Sequence, residues 1–308
     1  MIHQEHQYLD LVRDILDNGE KKPVFGSDRY ILSVIGRQLR FDVSESLPIY
    51  TTKKVFHQGA IRELLWFVKG EGDVVDLNKQ RVRIWNKWAV KHWNERYDTN
   101  LTLQEYEAAI TDGTIQRHQI PLHYTLMTNW VSSSGARINQ MDWVVKQLPK
   151  NPHRKSYVVS CWEPTKLYHM ADESRSESVV LPACHYAHQL LVEKGRLSMV
   201  LLIRSNDIFV GNPFNVCQYA MLLCAYAHLT KYPPGELIVQ IGDAHIYSSD
   251  LENAEIQLSR QPYPFPSLKI SDRGQTSILD MKPEDFVVED YKSHPVLDAD
   301  VTLVGGYQ

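Results

Sequence analysis

Cys184 stands in Leu-Pro-Ala-Cys-His-Tyr-Ala-His-Gln (Leu181 to Gln189), ahead of Arg-Ser-Asn-Asp (Arg204 to Asp207) and Gly-Asn-Pro-Phe-Asn (Gly211 to Asn215). A cysteine is nucleophilic as its thiolate, and a neighbouring cation such as Arg204 favours that form. A carboxamide such as Asn215 both donates and accepts hydrogen bonds, so it can read a ring edge. Together these groups suit the addition of sulfur to an electron-poor heterocycle. Cys184 precedes one strand-like run and Arg204 ends the next, so an antiparallel hairpin would bring the two together. The plainer alternatives are an inert core thiol and a surface ion pair between Arg204 and Asp207.

Other residues carry weaker signals. His185 and His188 stand three apart in an extended run, but no further Cys or His has ligand spacing, so no metal is expected. His245, between Asp243 and Tyr247, reads as a satisfied loop histidine or as a binder of hydroxyls. Glu63 lies among Ile61, Leu64, Leu65, Trp66 and Phe67. The pattern favours a solvated outer face for it; burial would instead raise its pKa and suit proton transfer. Trp85 and Trp88 read as core, or as flat faces that stack planar rings.

The elements that must position these groups follow from periodicity. Tyr8, Leu9, Val12, Ile15 and Leu16 have helical spacing over residues 5–18, with Gly19 as the stop. Leu39, Phe41 and Val43 alternate as a strand, and residues 58–69 form a helix ended by Gly70. Residues 71–130, rich in Trp, Asn, Lys and His with weak periodicity, form a smaller lobe. Tyr157 to Trp162 is a short strand. Residues 186–205 form a hairpin turning at Glu193 to Gly195, with Leu197, Met199, Leu201 and Ile203 on one face. Asn212 caps a buried helix with Pro213 in its first turn, running to about His228. Leu237 to Ile241 is a strand, a helix starts at Ser249, and the prolines at 262, 264 and 266 lead into short C-terminal strands. The class is α+β, one domain over 1–308 with a mixed or mainly antiparallel sheet.

Bulk properties narrow the function. Of 308 residues, 43% are hydrophobic and 23% charged, with a net charge of −4. That balance argues against nucleic acid as a general partner or substrate. Four cysteines without CxxC spacing indicate free thiols. With no membrane-length apolar run and no signal-peptide core, a cytoplasmic location is expected, or the host cytoplasm for a viral protein.

The chain closely resembles the thymidylate synthases. The resemblance runs through Leu-Pro-Ile-Tyr-Thr-Thr-Lys-Lys (Leu47 to Lys54), Arg-Glu-Leu-Leu-Trp-Phe (Arg62 to Phe67) and Ile-Trp-Asn-Lys-Trp (Ile84 to Trp88). It continues through the three opening segments, Gly-Asp-Ala-His-Ile-Tyr (Gly242 to Tyr247) and His294-Pro295. It implies a large mixed sheet with a long buried central helix, and a homodimer formed through the sheet. It also implies one-carbon transfer from 5,10-methylenetetrahydrofolate to carbon 5 of dUMP, without metal. In that scheme Cys184 attacks carbon 6, Arg204 lowers the thiol pKa and contacts phosphate beside Ser205, and Asn215 reads the uracil edge. His245 and Tyr247 hold the sugar hydroxyl. Glu63 organises proton transfers, Tyr124 lies near the carbon-5 proton, and His185 and Gln189 join the hydrogen-bond network beside the ring. Asp207 binds the pterin, while Trp85, Trp88, Leu181, Gly211 and Phe214 shape the folate pocket.

The chain also departs from the family. Gly26 stands where a phosphate arginine is expected, with Lys22 or Arg29 as substitutes. The arginine pair that a dimer partner contributes is here Lys155-Ser156, preceded by Arg154; lysine keeps the charge but loses the bidentate fork. Ala183 replaces Pro, Asn212 replaces an apolar residue, and the C-terminus extends beyond Leu303. Admission of water through these changes would yield a hydroxymethyl nucleotide and tetrahydrofolate, from dUMP or less readily from dCMP or CMP. A non-catalytic relative binding nucleotide or RNA is the third reading.

Overall fold

The computed structural model describes residues 3–24, 27–167 and 178–298. In chain order the elements are α1 (His6–Asn18), β1 (Glu20–Pro23), β2 (Tyr30–Asp42), α2 (His57–Lys69), α3 (Val74–Lys79), α4 (Asn86–Tyr97) and α5 (Leu103–Thr111). Then follow β3 (Trp130–Val131), β4 (Arg137–Ile138), α6 (Gln140–Gln147), β5 (Val158–Ser160), β6 (His185–Glu193) and β7 (Arg196–Asp207). The last are α7 (Gly211–Thr230), β8 (Pro234–Tyr247), α8 (Leu251–Leu258), β9 (Ser267–Ile270) and β10 (Phe286–Glu289). The described residues divide into two compact units, one of 3–61, 141–159 and 184–298 and one of 62–140, 160–167 and 178–183.

The first unit is organised by a six-stranded sheet in the order β1-β2-β8-β7-β6-β5. β1/β2, β2/β8 and β6/β7 are antiparallel, and β7/β8 is parallel. The 20-residue α7 supplies the crossover that a parallel pair requires. Its burial on several sides matches its mainly apolar composition, and Leu197, Met199, Leu201 and Ile203 of β7 and Leu237, Val239 and Ile241 of β8 are buried as well. β6 and β7 join through Lys194-Gly195, both at positive φ (51° and 76°), the conformation a two-residue hairpin turn demands.

Regular pairing breaks at one level across four neighbouring strands. Pairing skips Gly36 of β2 opposite Gly242 of β8, and Arg204 of β7 opposite the same Gly242. In β6 the register shifts between His185 and Ala187, leaving Tyr186 unmatched. Gly36 has φ +67°, and a Cβ on Gly242 would come within 2.8 Å of the Arg204 carbonyl oxygen. The extra residue in β6 is a bulge, which bends a strand and re-aims the side chains beyond it, here Cys184 ahead of β6. The Tyr186 break also turns His185 and His188 to the same side, where each meets a tyrosine of α7.

Several local expectations change. Asn212 does not cap α7; the helix begins at Gly211 after Val210, and Asn212 is buried inside its first turn. Buried side-chain partners hold that amide and outcompete the cap geometry. His245 lies in β8 rather than in a loop, because β8 runs unbroken from Pro234 to Tyr247.

The second unit contains α3, α4 and α5 and has its own core, including Trp66, Phe67 and Tyr106. Asp73 caps α3 by accepting from the Val75 N–H, and Thr102 and Glu105 form a capping box on α5. Only Asn86 and Ala89 are buried in α4, so its sequence carries little periodic signal.

Candidate active site

In the first unit, the Arg204 N–H donates to the Cys184 carbonyl oxygen at 2.9 Å, so the hairpin joins the two residues at backbone level. Burial pushes the Cys184 thiol above its ordinary value, the Arg204 charge draws it down, and Asp207 pushes it up again. Burial is the largest of the three. Arg204 therefore acts in the expected direction without making the thiolate the resting form.

Asp207 ends β7 and turns back on its own loop, accepting from the Phe209 and Val210 N–H groups at 3.0 and 2.9 Å. Its carboxyl is raised by desolvation, against the pull of His245, Lys53 and those two bonds. The buried Lys53 donates to the Phe209 carbonyl and sits 3.6 Å over the Phe209 ring. Burial lowers its pKa to about 8. The loop bearing Lys53 is held by Glu5, which accepts from the backbone N–H and hydroxyl of both Thr51 and Thr52.

β7 and β8 align Ser205 with Asp243 and Asp207 with His245. His245 Nδ1 lies 2.7 Å from Asp243 Oδ2, and its ring meets Tyr247 edge-on at 5.3 Å. Ser33 of β2 donates to Asp243 Oδ1, and Lys22 Nζ reaches Ser33 Oγ at 3.1 Å and Asp243 at 3.9 Å. The lysine considered as a phosphate substitute thus stands beside the His245 group. Gly26 lies outside the described residues.

Asn215, in the first turn of α7, accepts through Oδ1 from Asn206 Nδ2 at 3.0 Å. Asn206 Oδ1 accepts from Asn212 Nδ2 at 2.7 Å, and Asn212 Oδ1 accepts from the Tyr50 hydroxyl at 2.9 Å. Gly211 lies close to this chain: a Cβ there would contact Asn206 and Asn215 at 3.6 and 3.7 Å. Phe214 is half-buried beside Asn215 in the sequence.

His185 Nδ1 meets the Tyr219 hydroxyl at 2.8 Å, and His188 Nε2 meets that of Tyr226 at 3.2 Å. Burial drives both imidazoles down to about 3, so they are neutral. Gln189 sits apart from this pair. Strand alternation turns it to the face opposite His188, where its Nε2 donates to the Lys155 carbonyl at 2.7 Å. Lys155 and Arg154 are exposed, with Arg154 above the Trp143 ring at 5.7 Å.

The second unit holds the remaining candidates. Glu63 is half-buried on α2 and accepts from Trp85 Nε1 at 2.7 Å, so it does not occupy the solvated face that periodicity favoured. The geometry of Trp85, not helix periodicity, selects that face. Trp85 packs against Trp66, Phe67, Trp88 and Tyr124 at 6.0, 5.9, 5.5 and 6.4 Å between ring centroids. Tyr124 lies 4.2 Å from Phe67 and is buried. Leu181 is half-buried in the same unit.

Sequence reasoning missed Asn206, Ser33, Lys53 and Tyr50. Lys53 and Tyr50 stand inside a motif already noted, but nothing in their spacing marks them as partners of Asp207 and Asn212. Among the described residues, no group of three or more His, Cys, Asp or Glu side chains is arranged to hold a metal, and no helix is long and apolar enough to cross a membrane. The family model for thymidylate synthase matches residues 6–303. The chain therefore belongs to the thymidylate synthase family, enzymes that transfer one carbon from methylenetetrahydrofolate to a pyrimidine nucleotide.

Proposed function

We propose that this protein methylates dUMP to dTMP. The observation that carries the reading is the join between Cys184 and Arg204 within one unit that also presents Asn215, Asp207 and His245. Cys184 Sγ bonds to carbon 6 of the pyrimidine, which makes carbon 5 nucleophilic toward the folate methylene. Loss of the carbon-5 proton and departure of the folate amine leave an exocyclic methylene. Hydride from tetrahydrofolate then gives the methyl group and dihydrofolate, and expulsion of Cys184 restores the thiol.

Arg204 favours the thiolate and binds phosphate with Ser205, and Lys22 adds charge on the His245 side. His245 and Tyr247 bind the sugar hydroxyl, and Asp207 binds the pterin. Glu63 and Tyr124 serve proton transfer, Trp85, Trp88, Leu181, Gly211 and Phe214 each serve folate binding, and Lys155 and Arg154 reach the phosphate of a partner subunit. A homodimer through the sheet belongs to the same reading.

Methylation is favoured over hydroxymethylation because Asn212, the polar substitution that would admit water, is fully buried and bonded to Tyr50 and Asn206. The C-terminal extension lies outside the described residues. The test is incubation with dUMP and methylenetetrahydrofolate, following dihydrofolate absorbance and product mass. Methylated product with stoichiometric dihydrofolate is expected. Hydroxymethylated product without dihydrofolate replaces this reading with the hydroxymethylase one, and no product with dUMP, dCMP or CMP refutes both.

A further inference from the structure

The chain Tyr50–Asn212–Asn206–Asn215 has a direction. Tyr50 is fully buried, and burial holds its hydroxyl well above the ordinary range, so the proton stays on. Asn212 Oδ1 accepts that proton at 2.9 Å. A buried hydroxyl that fails to donate forfeits about 1–3 kcal/mol, so the hydroxyl sets which atom of Asn212 faces it. Asn212 Nδ2 is then left to donate to Asn206 Oδ1, and Asn206 Nδ2 to donate to Asn215 Oδ1. Both intermediate amides are buried, at 0% and 2% exposure, where water cannot easily replace a partner.

We infer that Tyr50, Asn212 and Asn206 are positioning residues that fix which way the Asn215 carboxamide faces, and so make the site select a uracil edge over a cytosine edge. Uracil presents a carbonyl acceptor and an N–H donor where cytosine presents an amino donor and a ring-nitrogen acceptor. Rotating a carboxamide by half a turn exchanges its donor and acceptor, and so exchanges the base it matches. The inference rests on the nucleotide reading above and adds residues that act through Asn215.

Carboxylates accept but do not donate when ionised, so single-atom substitutions can reverse the chain. In Asn212→Asp the carboxylate accepts from Tyr50 and forces Asn206 to turn its amino group toward position 212. Asn206 Oδ1 then faces Asn215, which must turn in response. In Asn206→Asp the carboxylate accepts from both neighbours and turns Asn215 directly. Tyr50→Phe removes the group that sets the direction.

The experiment measures Kd by calorimetry and kcat/KM for dUMP and dCMP at about pH 8.5, where a buried carboxyl ionises more readily, together with Tm. The dUMP:dCMP ratio is expected to fall by about tenfold or more in both aspartate variants and by a smaller factor in Tyr50→Phe. A merely structural role would weaken both nucleotides alike. Ratios within twofold of wild type in the folded variants would overturn the relay while wild-type use of dUMP still upheld the parent reading. Wild-type protein that binds no dUMP would sink that reading and the relay with it. Tyr50→Phe, which deletes one oxygen, decides the matter if the carboxylates prevent folding.

Discussion

The two compact units hold their candidate groups by different means. In the first, Ser205, Asp207, Asp243 and His245 are set by strand register, and the side chains of Asp207, Asp243 and His245 are tied to one another or to backbone. In the second, Glu63 is set by an indole, and Trp85 in turn by rings of Trp66, Phe67, Trp88 and Tyr124. A hydrogen-bonded ladder places atoms to within a fraction of an ångström but depends on each partner. A ring cluster draws its strength from many weak contacts and yields more gradually. The first arrangement should therefore respond to loss of one atom, the second to loss of volume or charge.

The sharpest break is Cys184→Ala. It should lower turnover by about 10⁴ or more with Tm changed by no more than about 2 °C. Turnover within about a hundredfold of wild type in that variant, checked by product mass, would refute the covalent route. Glu63→Gln keeps an oxygen for Trp85 Nε1 to donate to while removing the charge. Activity should fall by about 10²–10⁴ and stability should move by no more than about 0.5 kcal/mol in urea. Unchanged kcat would leave Glu63 a holder of Trp85 and nothing more.

Tyr219→Phe tests the first unit's dependence on single partners. It strips His185 Nδ1 of its hydroxyl partner in a buried setting and should cost about 1–3 kcal/mol; a loss below the error of a urea titration would count against a rigid hydrogen-bonded frame. A further prediction concerns pH. His185 and His188 in the first unit and His118 in the second all titrate near 3, below the usual histidine value, because burial disfavours their charge. The unfolded chain therefore binds more protons than the folded one between about pH 3 and 6.5. Stability from these groups is present above that window and drains away as pH falls through it. Urea midpoints rising on acidification from pH 7 to 5 would contradict this.

Much of this was legible along the chain, for identifiable reasons. The hairpin announced itself through alternating Leu197, Met199, Leu201 and Ile203 and a Lys-Gly turn, and it carried the meeting of Cys184 and Arg204 with it. Helices α1 and α2 fell within a residue or two of their expected ends. Asn212 misled because Asn-Pro is a strong start signal, whereas the protein uses this amide as a buried link. Glu63 misled because periodicity sees only the helix that carries a residue, and its partner lies 22 positions away. The Gln189 bond to the Lys155 carbonyl was equally beyond a local pattern, because its partner lies 34 positions away.

The amino-acid sequence by itself determined the residue types able to do the chemistry, the strands and helices whose patterns are local, and the family. Local order suffices there, because propensity, alternation and turn chemistry act over a few residues. Only the tertiary structure decided that breaks at Gly36, Gly242, Arg204 and Tyr186 stand at one level, that burial outweighs Arg204 at the Cys184 thiol, and that Tyr50 joins three asparagines of residues 206–215 in one directed chain. Those outcomes depend on desolvation and on hydrogen-bond partners far apart in the chain, which no local pattern encodes.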